Sequence, residues 1–132
     1  MKYIPLIGRI LFSMIFLLTI KGHFSGSTIA YAASAGVPMA NVIVPISGII
    51  AVLGALSIIL GFKTKIGGWL IVIFLVPVTF MMHQFWSVKD QMAMQMQMVN
   101  FMKNMSMLGG ALLIIYFGAG PISIDNMKKS QE

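Results

Sequence analysis

Four long apolar stretches dominate the pattern of hydrophobic and polar positions along this chain. Residues 42–62 contain no charged side chain, residues 66–82 form the next stretch, and residues 10–20 and 105–117 are extended by apolar flanks. A helix that crosses the hydrocarbon core of a membrane needs about 20 residues, and it satisfies its own backbone hydrogen bonds. The pattern therefore predicts four transmembrane helices, at roughly residues 5–22, 42–62, 66–84 and 94–118.

We expect these helices to form one all-α domain over residues 1–132, a transmembrane four-helix bundle. A short extramembrane helix is expected between helices one and two, with Ser27 as its N-cap and Gly36 as its stop. Small residues recur in the later helices and favour close approach of backbones, because lipid removes the hydrophobic drive between helices. They are Ser47, Ala51, Ala55, Gly67, Gly68, Gly109 and Gly110.

The stretch QMAMQMQM, residues 91–98, places a methionine at every second position. At about 100° per residue, however, Met94, Met98, Phe101, Met102, Met105 and Leu108 share one helical face. Met92, Met96 and Val99 form a second apolar edge. The alternation therefore indicates an amphipathic start to helix four, with methionine as a flexible apolar side chain. Copper handling stays open as a second interpretation, because thioethers bind Cu(I). Its ligands would be His83, Met94 and Met98.

The composition agrees with a membrane protein, since 58% of the residues are hydrophobic and only 9% are charged. A soluble domain carries about 25% charged residues. The formal net charge of +6 comes from basic residues that lie between the apolar stretches, which argues against nucleic-acid binding. The sequence has no cysteine, which excludes disulfides, thiol catalysis, thiolate zinc sites and iron–sulfur clusters.

The positions of lysine and arginine predict the orientation of the bundle, because basic residues concentrate in cytoplasmic loops. Four spans would place six basic residues on one side of the membrane and three on the other. The larger set is Lys2, Arg9, Lys63, Lys65, Lys128 and Lys129, and the smaller set is Lys21, Lys89 and Lys103. Both termini are therefore predicted to be cytoplasmic.

Polar and aromatic side chains gather at the outer end of helices three and four, where a polar group inside the membrane marks a candidate site. The histidine of this set could exchange protons near neutral pH, and two aromatic rings could form a wall for a planar ligand. The competing interpretation is an interfacial aromatic belt with a lysine that reaches toward water. The set comprises His83, Phe85, Trp86, Asn100, Lys103 and Asn104.

Two further pairs of residues are candidates for a structural or metal-binding role. Arg9 lies near the start of helix one and Asp125 follows helix four on the same side, so an ion pair between them would join the first and last helices. The alternative is that Arg9 reaches lipid phosphate. His23 follows helix one and could join His83, but two histidines without a carboxylate make a weak metal site. No catalytic constellation is visible.

Six short motifs occur in order along nearly the whole chain. They are Gly8-Arg9-Ile10-Leu11, Ala35-Gly36-Val37-Pro38, Gly54 with Gly61, His83-Gln84-Phe85-Trp86, Asn100-Phe101-Met102-Lys103-Asn104 followed by Leu108-Gly109-Gly110, and Pro121-Ile122-Ser123-Ile124-Asp125. On these motifs the chain resembles the DoxX family of small bacterial four-helix membrane proteins. One departure is Ala51, where members of that family often carry a glutamate. The resemblance implies an inner-membrane protein associated with redox enzymes.

The leading hypothesis from the sequence is a redox-associated membrane subunit that binds a quinone-like or other apolar small molecule near His83 and Trp86. Quinone is the candidate cofactor, and electrons would come from a membrane or peripheral partner protein. Catalytic activity stays undecided. The alternatives are a non-enzymatic scaffold that recruits partners, and a copper-handling protein. The lipid bilayer is an expected partner, nucleic acid is not, and the sequence leaves a homo-oligomer open.

Overall fold

The fold of this protein is built from helices. The computed structural model describes residues 1–130, and in that range it contains no β-strand. Two short 3-10 segments, Ile20–Phe24 and Phe85–Ser87, follow the first and fourth α-helices. The α-helices are α1 (Ile4–Leu18), α2 (Gly26–Ser34), α3 (Ala40–Leu60), α4 (Thr64–Met82), α5 (Gln91–Phe117) and α6 (Ile124–Lys129).

Four helical segments are long and apolar enough to cross a bilayer: Ile4–Phe24, Ala40–Leu60, Thr64–Ser87 and Gln91–Phe117. Large apolar side chains cover the outside of the bundle, for example Leu113, which is 61% exposed. Such a surface belongs in lipid, because in water it would be an aggregation hazard. The prediction of an all-α transmembrane bundle with a short helix between the first two spans is confirmed.

The ends of the helices follow from local capping. α5 begins at Gln91 rather than near residue 94, because the Asp90 carboxylate accepts a hydrogen bond of 2.8 Å from the Ala93 backbone N–H. α2 begins after Ser25, whose hydroxyl accepts from the Thr28 N–H in the same way. The N-cap is therefore Ser25, and not the predicted Ser27.

Small residues bring the spans together at the centre of the bundle. α3 packs against α1 and α4, and α4 packs against α5. A Cβ atom added to Gly54 would lie 2.9 Å from the Gly67 carbonyl oxygen, so these two backbones are in contact. Gly110 is similarly close to Phe12 on α1, but a Cβ on Gly109 would meet nothing within 4 Å. The predicted packing role of Gly109 is therefore wrong.

The buried Arg9 ties the start of α1 to the turn between α3 and α4. Its side chain is 3% exposed and donates hydrogen bonds to the carbonyl oxygens of Ile58, at 3.2 Å, and Ile122. The contact requires Gly61, which ends α3 with φ of +65° and leaves no room for a Cβ beside the guanidinium. Arg9 therefore faces protein backbone and not lipid phosphate.

Asp125 closes the same junction from the C-terminal side. Its carboxylate accepts hydrogen bonds from the backbone N–H groups of Lys63, at 2.7 Å, and Thr64, at 3.0 Å. Burial raises the pKa of this carboxyl, but these bonds and the ammonium of Lys128 outweigh burial and leave the pKa below its usual value. Arg9 and Asp125 thus hydrogen-bond to neighbouring backbone groups of one junction rather than to each other, and their opposite charges attract across it.

Candidate ligand cavity

A cavity of about 440 Å³ lies between α1, α3, α4 and α5, toward the end of the bundle where α1 and α4 terminate. Its walls are mainly aliphatic and aromatic, and include Phe16, Val44, Ile50 and Phe74. A pocket of this size with apolar walls and a few polar groups is typical of a small-molecule site. The polar side chains that line it are Thr19, His23, Thr28, Ser47, His83, Lys103 and Asn104.

Asn104 is the most unusual side chain in this lining. The residue is only 5% exposed, and its side chain has no hydrogen-bond partner among residues 1–130. Its amide atoms are nevertheless not fully enclosed, since the enclosed polar side-chain atom without a partner in this range is Ser13 Oγ, so the amide is accessible from the cavity. Most buried polar groups in proteins are paired, with protein or with ordered water. The amide borders the cavity, so a partner for it would have to occupy the cavity.

His83 is held in one tautomer by a chain of hydrogen bonds. The Tyr31 hydroxyl donates to the Met82 carbonyl oxygen at 3.0 Å, and Gln97 Nε2 donates to Tyr31 Oη at 3.0 Å. The other atom of the Gln97 amide, Oε1, lies 2.8 Å from Nδ1 of His83. Because an amide oxygen can only accept a hydrogen bond, Nδ1 carries the proton. Nε2 of His83 is left as an acceptor without a partner in the described chain.

His23 reaches the cavity from the segment that follows α1 and has a similar arrangement. Its Nδ1 donates to the Thr19 carbonyl oxygen at 3.2 Å, and its ring packs 5.5 Å from the ring centroid of Phe74. Gly48 permits this position, because a Cβ there would lie 2.6 Å from the Cβ of His23. The cavity is thus bordered by two imidazoles whose Nδ1 protons are both committed to oxygen acceptors.

The structure divides the predicted site into two groups. His83, Lys103 and Asn104 line the cavity, whereas Phe85 and Trp86 do not. The two aromatic residues instead pack against each other at 5.2 Å between ring centroids, and both contact the ring of Phe101. Trp86 is 56% exposed, as expected for an aromatic side chain at a membrane surface. The predicted aromatic wall of the ligand site is therefore absent from this cavity.

The polar side chains of α5 are also divided between the cavity and its surroundings. The ammonium of Lys103 donates to Asn100 Oδ1 at 3.1 Å, so this end of the lysine is already partnered. Asn100 does not line the cavity, and Asn104 does.

Several residues at or beside the cavity were not assigned to the site from the sequence. Ser47 lines the cavity, whereas Gln97 and Tyr31 lie outside it and orient His83. Gln97 lies on the same helical flank as Asn100 and Asn104, which was a usable signal for a role beside them. Tyr31 and Ser47 gave no signal, because their positions depend on how α2 and α3 dock against α4.

The methionines proposed as copper ligands are not gathered around His83 in the cavity. Met98 is 39% exposed, and neither Met98 nor Met94 lines the cavity that His83 borders. Residues 1–130 also hold no cluster of three or more His, Cys, Asp or Glu side chains that could bind a metal ion. Copper binding by these residues stays a prediction.

Comparison with known proteins gives a family match over the whole described chain. A model of the SURF4 family matches residues 1–131. The inner membrane protein YphA of Escherichia coli (strain K12) is 33% identical over 122 residues, which cover 91% of this chain and 86% of YphA. The Surfeit locus protein 4 homolog of Schizosaccharomyces pombe (strain 972 / ATCC 24843) is 27% identical over 128 residues, 96% of this chain but 38% of that protein. No solved structure matches significantly.

These matches overturn the resemblance to the DoxX family, because the family found is SURF4. Packing accounts for several of the motif residues that suggested DoxX. Gly54 is needed for contact with α4, and Gly61 is needed for its positive φ and for the approach of Arg9. The expectation of a redox association came with that resemblance and loses its support with it.

Proposed function

The chain belongs to the SURF4 family, and we propose that this multi-pass membrane protein binds an amphipathic small molecule in the cavity between α1, α3, α4 and α5. The apolar walls would bury the body of the ligand, and the unpaired amide of Asn104 would bind its polar head. The position of this amide carries the proposal, because it belongs to a nearly buried residue, has no hydrogen-bond partner among residues 1–130 and lies at the wall of the cavity.

The hydrogen-bonding groups at the cavity favour a ligand that carries a hydroxyl. Nε2 of neutral His83 and Nε2 of neutral His23 can only accept a hydrogen bond, whereas the amide of Asn104 can both donate and accept. A hydroxyl satisfies a donor and an acceptor together. A quinone carbonyl could accept from Asn104, but it could not donate to either histidine. A hydroxylated amphiphile, such as a reduced quinol or another lipid alcohol, therefore fits better than a quinone.

Mass spectrometry of the purified protein tests this proposal. The wild type should retain a hydroxylated amphiphile after solubilisation in a mild detergent, and Ser47→Phe should lose it because the new ring fills the cavity. Ile49→Phe is the matched control, because Ile49 is 48% exposed on the outside of the same helix. The proposal fails if the wild type retains no such molecule, or if Ser47→Phe and Ile49→Phe retain it equally.

We further propose that both termini are cytoplasmic and that the cavity lies in the outer half of an inner membrane. The six basic residues on one side against three on the other support this orientation. The name of YphA, an inner membrane protein, supports the location. Because the chain has no cysteine, a membrane-impermeant maleimide should label Lys89→Cys in intact cells and not Ser130→Cys. The reverse pattern would invert the orientation.

A further inference from the structure

A second groove lies at the opposite end of the bundle from the ligand cavity. It has a volume of about 640 Å³ and lies between the α3–α4 turn, the end of α5 and the C-terminal segment. Two apolar side chains, Ile66 and Phe117, contribute to its walls. Four lysines also line it: Lys63, Lys65, Lys128 and Lys129.

The positive charge of this groove is not balanced by the acidic side chains of residues 1–130, the part of the chain that the structure describes. Asp125 is the acidic residue among its lining residues, and its oxygens already accept hydrogen bonds from Lys63 and Thr64. The other acidic residue in the described chain, Asp90, caps α5 at the far end of the bundle. Four ammonium groups therefore face one carboxylate, which already accepts hydrogen bonds from Lys63 and Thr64 and attracts Lys128.

Two of the lysines contact the same aromatic ring. The ammonium of Lys128 lies 4.7 Å from the ring centroid of Phe62, and the ammonium of Lys63 lies 5.7 Å from it. A ring face attracts cations but does not neutralise them. Lys63 and Lys128, which both line the groove, therefore keep their positive charges.

We propose that this groove binds the headgroup of an anionic phospholipid. Charge complementarity selects a phosphate, and basic pockets between transmembrane helices bind anionic lipid headgroups. The apolar neighbours select a lipid over a soluble anion, because Ile66 is 55% exposed and Phe117 is 75% exposed where α4 begins and α5 ends. Acyl chains would lie along these side chains while the phosphate contacts the lysines. The site is independent of the ligand cavity, so either proposal can fail alone.

The test is a titration of the full-length protein in nonionic detergent with phosphatidylglycerol, phosphatidylcholine or glycerol 3-phosphate, read as the shift in the thermal unfolding midpoint. Phosphatidylglycerol should raise the midpoint, and the other two should not. The triple variant Lys65→Gln/Lys128→Gln/Lys129→Gln should bind phosphatidylglycerol more weakly, by roughly fivefold for each lysine removed and on the order of a hundredfold for three.

Two control variants separate loss of the site from loss of folding. The triple Lys→Arg variant at the same positions keeps the charges and should bind phosphatidylglycerol as the wild type does. Lys89→Gln removes one positive charge at the other end of the bundle and should have no effect on binding. Equal shifts with phosphatidylglycerol and phosphatidylcholine would overturn the proposal, as would wild-type binding by the Gln variant. A shift with glycerol 3-phosphate as large as that with phosphatidylglycerol would exclude a lipid as the specific occupant.

Discussion

Replacement of Asn104 by leucine should stabilise the ligand-free protein. The two side chains are similar in size, and Asn104 is 5% exposed beside a cavity with apolar walls. The substitution removes an amide that has no hydrogen-bond partner in the described chain. Because this amide is accessible from the cavity, the gain should be about 1 kcal/mol, the lower end of the cost of an unsatisfied buried group. The leucine would also gain contacts with the aliphatic walls. Few substitutions of a buried polar residue are expected to stabilise a protein, so the sign of the effect is diagnostic.

The same substitution should abolish ligand binding. When ligand is present, the wild type should therefore be more stable than Asn104→Leu, the reverse of the order without ligand. A ligand at a hundred times its dissociation constant stabilises the protein that binds it by about 2.7 kcal/mol. Wild-type protein should therefore gain on addition of the co-purified amphiphile, and Asn104→Leu should not. Both are measured as the midpoint of thermal unfolding in detergent, with and without the amphiphile.

Asn100→Leu is the matched control for this experiment. Asn100 accepts a hydrogen bond from Lys103 and lies outside the cavity. Its replacement should lower the free energy of unfolding by about 0.5–1.5 kcal/mol and leave ligand binding unchanged. If Asn104→Leu destabilises the ligand-free protein instead, the amide has a partner inside the fold, and the argument from its unpaired state is refuted.

Three further outcomes follow from the junctions and the methionine segment. Gly61→Ala should lower the free energy of unfolding by about 2 kcal/mol or more, because φ is +65° and the space for a Cβ is filled. Gly109→Ala should be neutral or slightly stabilising, because a Cβ there meets nothing within 4 Å. Asp125→Asn should cost about 1–2 kcal/mol at pH 7. Folding lowers the pKa of Asp125. The difference in free energy of unfolding between Asp125→Asn and the wild type should therefore persist above the unfolded pKa of about 3.9. It should disappear as the pH falls through the pKa of Asp125 in the folded protein. If the methionine segment handles copper, Cu(I) titration against a chelator should show a site that Met94→Leu/Met98→Leu removes, and equal titrations would exclude these ligands.

The architecture could be predicted from the sequence because it depends on signals that act over single helices. The length of each apolar stretch fixed the number of spans, and the small residues at Ala51 and Ala55, both fully buried, indicated where α3 meets its neighbours. Adjacent glycines were a less specific indication of which residues contact a neighbouring helix. Gly110 contacts α1 and Gly109 faces open space, and adjacent glycines cannot be distinguished without the rotation of the helix.

The site was less predictable because it depends on contacts between helices. His83, Lys103 and Asn104 were identified as polar groups in an apolar environment, and all three border the cavity. Phe85 and Trp86 were grouped with them because they are adjacent in sequence to His83. The chain leaves the α-helix at Met82, however, and the 3-10 turn at Phe85 sends both rings toward Phe101. Proximity in sequence was a poor guide at that break.

Arg9 and Asp125 also show that contacts between helices are hard to predict from the sequence. Their location at one end of the bundle followed from the number of spans, but their partners did not. Both side chains bind backbone groups that become available where α3 ends and α4 begins. Charge alone suggested a bond between the two residues, whereas the unsatisfied backbone groups of the helix ends provide closer partners.

The most direct test of the account is an experimental density map of the protein extracted with its native lipids. The account predicts density for an elongated molecule in the cavity between α1, α3, α4 and α5, with a polar atom within hydrogen-bonding distance of the Asn104 amide. A cavity that is empty, collapsed or filled by ordered water alone would contradict it.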